Sequence, residues 1–211
     1  MAKTEAFDLH TQEYENWFVE NKFVFKSELK AVTKAIPQNG IGVEIGMGSG
    51  IFAEPLGIKE GVEPSEAMIE YARKRGLNII KGVAENLPYK NESKDFVLMV
   101  TSICFVDNVK KSFFEANRIL KKGGELIIGF VDKDSPIGKI YLQNKEKSLF
   151  YKEATFFGTE ELISILKETN FTVIKTYQTV FGLLSEIKEE QKVSEGYGEG
   201  SFVVIKAKKD T

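Results

Sequence analysis

Two carboxylates and three glycines carry the most informative chemistry in this 211-residue chain. Glu44 stands two residues before the first glycine of Gly46-x-Gly48-x-Gly50, and Glu63 follows 17 residues after Gly46. A dinucleotide-binding turn reads G-x-G-x-x-G and leaves a helix N-terminus free for a pyrophosphate. Here the spacing is G-x-G-x-G, and the carboxylate beside it repels phosphate while attracting an ammonium or a hydroxyl. An acidic residue at the end of a second strand, about 20 residues past a glycine turn, accepts both hydroxyls of a ribose. The pair therefore favours a cationic, hydroxylated ligand over a polyphosphate. Two plainer readings compete: a tight strand-to-helix connection at the glycines, and a solvated Glu63 complementing a helix dipole.

Other reactive side chains are few. One cysteine, Cys104, excludes an internal disulfide and a multi-cysteine metal site. It has no histidine or basic residue beside it to lower its pKa, which makes it a poor nucleophile. His10 is the only histidine, so neither a catalytic triad nor a histidine metal cage is expected. The balance of 29 basic against 31 acidic residues gives a formal charge of −2, without the basic field that holds nucleic acid. No apolar run reaches the roughly 20 residues needed to span a bilayer, and the opening MAKTEAFDLH lacks a signal-peptide core. A soluble, cytoplasmic protein with no membrane insertion is expected, and 42% hydrophobic content suits one domain with a real core.

Positioning the two acids requires strands that end in turns. Ile41, Val43 and Ile45 read as a buried first strand running into the glycines, and Ile58 to Val62 as a second strand ending at Glu63. Pro64 and Ser65 open a helix with Met68, Ile69 and Ala72 on one face. Leu77 to Ile80, Phe96 to Val100 and Glu125 to Phe130 read as the third, fourth and fifth strands. Between the last two, Asp107-Asn108 cap a helix from Val109 to Leu120 that Gly123-Gly124 should stop. Upstream, Tyr14 to Ile36 shows helical spacing through Trp17, Phe18, Phe25, Leu29 and Val32, ended by Pro37. Trp17 and Phe25 are ordinary core aromatics on this reading, and Tyr14 lies far enough out to fold over a ligand.

Four ordered stretches, VEIGMGSG, GVEPSEAM, GVAENLPYKNESKDFVLMV and RILKKGGELII, together resemble the class I S-adenosylmethionine-dependent methyltransferases. The branch they resemble is the small-molecule one that includes the ubiquinone and menaquinone C-methyltransferases, and the match covers about residues 40 to 130. The resemblance implies a Rossmann-like three-layer α/β/α sandwich with a seven-stranded, mostly parallel sheet and an antiparallel last strand. It implies S-adenosylmethionine as methyl donor, with S-adenosylhomocysteine as product. Gly46, Gly48 and Gly50 would approach the methionine part and Glu44 its ammonium; Glu63 would hold the ribose; Pro64, Met68, Ala84 and Glu85 would flank the adenine. Thr101 would stand at the methyl-donor edge. Relatives carry Asp where this chain has Val83, so the adenine amino contact would pass to Glu85 or a main-chain carbonyl.

Within this framework residues 12–37 form an N-terminal helical lid, 41–130 the donor-binding core, and 131–158 a lysine-rich, aromatic substrate cap. Residues 159–211 supply a last helix and two last strands, with a 23-residue connection that is either a surface loop or a second piece of substrate wall. Methyl transfer to a small-molecule acceptor is the expected activity, by in-line displacement that rests mainly on orientation and exclusion of water. Tyr14, Asp107, Tyr141 and Tyr151 are the candidates for a general base. The rival is a non-catalytic S-adenosylmethionine-binding or scaffold protein, which would explain the lack of an evident acid-base pair. Nothing in the sequence sets the oligomeric state.

Overall fold

The computed structural model describes residues 3–210. Its eight-stranded sheet has the order β3-β2-β1-β4-β5-β8-β6-β7. The strands are β1 (Gly42–Ile45), β2 (Glu60–Glu63), β3 (Asn78–Lys81), β4 (Lys94–Val100), β5 (Leu120–Val131), β6 (Phe171–Thr179), β7 (Ser194–Glu195) and β8 (Phe202–Lys209). The first five run parallel, and β8 lies antiparallel between β5 and β6. Strand order reverses at β1 and β4, and in open α/β sheets the crevice at such a reversal takes the ligand.

Sequence reading gave seven strands. The eighth is the two-residue β7, inside the connection from β6 to β8, where Tyr177 and Gln178 pair with Glu195 and Ser194. Two residues are too few to show a period-two pattern, so nothing in the sequence marked it. The first strand is also shorter than expected. Ile41 lies before it and is exposed, its N–H donating to Asp95 Oδ2 at 2.7 Å.

Helices α1 (Glu5–Leu9), α2 (Thr11–Glu20), α3 (Lys22–Ala35), α4 (Ala53–Leu56), α5 (Glu66–Lys74), α6 (Val109–Ile119), α7 (Pro136–Gln143) and α8 (Thr159–Glu168) cover the sheet. Along β4, Phe96, Leu98 and Val100 enter one core with Val32 of α3 and Ile69 of α5. Val97 and Met99 enter a second core with Phe113 of α6 and Leu162 of α8. The period of two in a strand, buried on both faces, produces this division. Each large side chain fully buried this way contributes roughly 1.5–3 kcal/mol.

Three local expectations hold and two need correction. Ser65 Oγ accepts from Met68 N–H as N-cap of α5, Asn108 Oδ1 accepts from Lys111 N–H as N-cap of α6, and α8 begins at Thr159. The continuous helix expected over 14–36 is instead two helices separated at Asn21, with α1 ahead of them. The Asn21 side chain donates to Trp17 O, the kind of local bond with which Asn ends a helix. The helix α6 stops at Ile119, and Gly123 and Gly124 lie in β5. The β4–β5 register jumps there from Lys94↔Leu120 to Phe96↔Glu125. A glycine fits the bulge because a Cβ on Gly124 would sit 2.9 Å from Lys121 O and 3.0 Å from Asp95 O.

Candidate functional site

The turn after β1 brings the chain back under the sheet edge. Gly46 has φ +67° and Gly50 has φ +82°, the left-handed region that glycine enters without penalty. A Cβ on Gly46 would lie 2.5 Å from Ser102 Cβ, and one on Gly50 would lie 2.2 Å from Leu77 Cδ1. Both positions thus need glycine for shape as well as for φ. Between them Gly48 N–H donates to Glu63 Oε2 at 2.8 Å, while Ser65 N–H donates to Glu63 Oε1 at 2.9 Å. The Glu63 carboxylate is thereby fixed between two turns, with a further lone pair on each oxygen for a ligand.

Glu44 occupies the inner wall and is 2% exposed, and its Oε2 has no hydrogen-bond partner among the described residues. Burial, then repulsion from Glu63, push its carboxyl well above the ordinary range. Glu63 is raised to about 7 by burial, against the two backbone hydrogen bonds that favour its ionised form. A buried carboxylate without a partner is costly, and a ligand ammonium removes that cost by pairing with it. The two acids, the glycines and the sheet edge enclose a chamber of about 870 Å3 of empty space, its mouth included.

Of the residues singled out from the sequence, Tyr14, Glu44, Gly46, Gly48, Glu63, Pro64, Met68, Ala84, Glu85, Thr101 and Asp107 all line this first chamber. Gly50 does not; it closes the turn from below, its N–H donating to Met47 O. Val83 lines the chamber as an apolar wall, and Glu85 Oε1 is engaged by Asn108 N–H at 2.9 Å. Tyr141 and Tyr151 line a second chamber of about 630 Å3, together with Trp17, Phe18, Glu28 and Phe150. Phe7, Tyr14, Thr101 and Phe105 line both chambers and form their common wall. Thr101 has φ +50°, an unusual backbone for a β-branched residue, at the point where the chambers meet.

Burial raises the hydroxyls of Tyr14, Tyr141 and Tyr151 far above the phenol range. They are hydrogen-bonding groups at neutral pH, poorly suited to take up a proton as phenolates. Burial also pushes the Cys104 thiol up to about 12, in keeping with its unpromising sequence context. The connection over 180–200 lines neither chamber. It packs on α3, where Gln191 N–H donates to Ser27 Oγ at 2.8 Å.

Sequence reading missed Phe7 and Glu28. Phe7, Tyr14, Phe18 and Phe25 follow one another at intervals of seven, four and seven residues, so the aromatic stripe extends upstream of Tyr14 and would have reached Phe7. Glu28 is the acid on the apolar face of α3, three residues after Phe25. A charge on such a face was the available signal.

A methyltransferase-domain family model matches residues 43–128. The chain is 47% identical over 204 residues to an uncharacterized protein of Methanocaldococcus jannaschii, covering 97% of this chain and 98% of that one. A ubiquinone/menaquinone biosynthesis C-methyltransferase of Campylobacter jejuni is more distant, 29% identical over 62% of this chain and 64% of its own length. Among solved structures, an S-adenosylmethionine-dependent methyltransferase of Thermotoga maritima, named as a possible histamine N-methyltransferase, matches with a TM-score of 0.94 at 55% identity. That match covers 97% of this chain and 98% of the Thermotoga chain. No helix among the described residues is long and apolar enough to cross a membrane. With near-complete coverage at this identity, the chain belongs to the S-adenosylmethionine-dependent methyltransferases.

Proposed function

We propose that the first chamber holds S-adenosylmethionine and the second a small-molecule acceptor, and that the methyl group passes between them in line. The observation that carries this reading is the common wall of Phe7, Tyr14, Thr101 and Phe105 between two chambers of different chemistry. The donor brings a methyl carbon already activated on a sulfonium. The protein's task is then alignment and exclusion of water, and the aromatic walls suit both.

In this assignment Glu44 pairs with the donor ammonium, which answers its unpartnered Oε2. Glu63 accepts from the ribose hydroxyls with its remaining lone pairs. Pro64, Met68 and Ala84 flank the adenine, and with Val83 apolar its amino group is left to Glu85 or a main-chain carbonyl. Helices α1 and α2 act as lid, and the segment 131–158 acts as cap through Tyr141, Phe150 and Tyr151. The name given to the Thermotoga relative, at 55% identity, supports a small-molecule acceptor for this chain as well.

Calorimetry tests the donor half: S-adenosylhomocysteine should bind the wild type and lose at least about tenfold in affinity in Glu63→Ala, since charge-assisted hydrogen bonds are worth about 1.5–3 kcal/mol. Unchanged affinity would refute the ribose assignment. For the acceptor half, a double Tyr141→Ala, Tyr151→Ala variant should lose turnover in an acceptor screen while keeping donor affinity. Equal loss of both would count against the cap.

A further inference from the structure

The second chamber contains one carboxylate among its aromatic walls. Glu28 is 5% exposed, and no hydrogen bond or ion pair engages it among the described residues. Around it stand Phe7, Tyr14, Trp17, Phe105, Tyr141 and Tyr151, and no lysine, arginine or histidine lines the chamber. The negative charge of Glu28 reaches Tyr14, Tyr141 and Tyr151, each of which it pushes further from ionisation. These tyrosines, from α2, α7 and the segment after Phe150, are the titratable groups that face it.

We infer that the second chamber selects a cationic amine, with Glu28 as its counter-ion and as the acceptor of its proton. This rests on the proposed division into donor and acceptor chambers. An anionic acceptor would meet a carboxylate with no compensating cation on the walls. A hydrocarbon would leave Glu28 protonated and without a hydrogen-bond partner, which costs free energy and gains nothing from its charge. An ammonium instead pairs with the carboxylate and is attracted to the faces of the surrounding rings. Aromatic cages that recognise ammonium ligands use the same attraction.

The same residue resolves a chemical difficulty. An ammonium has no lone pair and cannot attack a methyl carbon. Burial raises Glu28 to about 8, which brings it close enough to an amine to exchange a proton at neutral pH. An N–H bond of the ammonium breaks, its proton passes to a Glu28 oxygen, and the freed pair on nitrogen forms the new N–C bond. The S–C bond breaks with its pair left on sulfur, and the positive charge lost by sulfur appears on the N-methylated product. The three tyrosine hydroxyls orient the amine without taking part in the proton balance.

The test uses full-length protein saturated with S-adenosylhomocysteine, titrated calorimetrically with benzylamine, phenethylamine and 3-phenylpropylamine and with the corresponding alcohols at about pH 8.5. The best amine is expected to bind at least about tenfold tighter than its alcohol, from ion pairing and cation–π attraction together. Glu28→Gln should bring the two within about twofold while leaving S-adenosylhomocysteine affinity unchanged. In the wild type, lowering the pH from about 8.5 to 6.5 should weaken amine binding, with protons released on binding below about 8 as the cation displaces the Glu28 proton. This pH series decides the matter without a variant. Equal affinity for amine and alcohol, a preference that survives Glu28→Gln, or pH-independent amine binding overturns the amine assignment and leaves the donor assignment standing. Failure of S-adenosylhomocysteine to bind the wild type overturns the donor assignment and this inference with it.

Discussion

Asp8 Oδ1 lies 2.6 Å from Ser65 Oγ, so the first helix is tied to the N-cap of α5 at a point two residues from Glu63. The same carboxylate oxygen accepts from Ala67 N–H at 3.3 Å. Burial works against ionisation of Asp8, but these hydrogen bonds, with one from Thr4 and the positive charge of Lys81, outweigh it and hold the group below the ordinary carboxylate value. Helix α1 is therefore latched beside the strand end that presents Glu63, the acid proposed to hold the ribose. Asp8→Ala should release α1 without uncapping α5. It is expected to raise the S-adenosylhomocysteine dissociation constant several-fold and to expose the α1 amides to hydrogen exchange, with a stability loss of about 1 kcal/mol. Ser65→Ala removes latch and cap together and should cost about 1 kcal/mol more. Unchanged exchange of the α1 amides in Asp8→Ala would show that the latch is not what holds this helix.

The raised acids set a pH dependence whose sign is the reverse of ordinary acid denaturation. Glu63 goes from the usual 4.5 to about 7, and Glu28 to about 8, in both cases chiefly through burial. Each is more easily protonated folded than unfolded, so the stability linked to it is present below about 4.5 and lost as pH rises through its folded value. For Glu63 the full swing is on the order of 3 kcal/mol. The unliganded protein should melt several degrees lower at pH 8.5 than at pH 5.5, and Glu63→Gln should flatten part of that slope and be the more stable form at pH 8.5. Donor affinity should show the opposite trend, strengthening through about pH 7 as Glu63 ionises and can accept from two hydroxyls. A melting temperature that climbs across this window, measured by calorimetry, would contradict the burial of both acids.

The fold and much of the first chamber were legible in the sequence because their signals are local. A strand that ends in G-x-G-x-G, an acid at the end of the next strand and a Pro-Ser helix start each fit within a few residues. The second chamber was not legible in the same way. Its walls come from α1, α2, α3, α7, the β4 and β5 ends and the segment around Phe150, which the chain brings together only by folding. Glu28 shows the limit well. At helical spacing it is an acid within an apolar stripe, and only the packing of Tyr14, Tyr141 and Tyr151 around it makes that position chemical. The short β7 and the bulge at Gly123-Gly124 were hidden for a different reason. Both depend on register with a neighbouring strand, and register leaves no periodic trace in one strand alone.

Phe7 and Phe150 stack with centroids 5.4 Å apart and ring planes inclined by 30°, which joins α1 to the segment before Tyr151 over the common wall. Phe7 also meets Phe105 edge-on at 4.9 Å and Tyr14 at 6.0 Å. An aromatic pair adds about 0.5–1.5 kcal/mol beyond its buried area, so Phe7→Ala forfeits several such terms at a single position. Both chambers lose a wall residue at once. Stopped-flow measurement should find S-adenosylhomocysteine leaving about tenfold faster from Phe7→Ala, since lid contacts act mainly on dissociation. Phe150→Ala, which touches the second chamber but not the first, should alter donor release less. A larger effect of Phe150→Ala would mean that the segment around Phe150, and not the proposed lid at α1, closes the first chamber.

Cys104 offers a check on the junction itself. Its Sγ donates to Thr101 O at 3.2 Å, and Thr101 is the residue held at φ +50° where the chambers meet. Backbone in this region costs on the order of 1 kcal/mol or more for a β-branched residue and persists only when neighbours enforce it. The thiol is placed to do so, and burial, which raises it to about 12, keeps it protonated and able to donate. The folded protein should therefore react with an aromatic disulfide reagent at pH 8 far more slowly than the urea-unfolded chain does. Cys104→Ser retains a donor at the same place and should preserve affinity for S-adenosylhomocysteine. Cys104→Ala removes the donor and should weaken it, because a relaxed Thr101 carbonyl shifts the wall that both chambers share. Rapid labelling of the folded protein, or equal affinities in the serine and alanine variants, would show that Thr101 is held by other contacts.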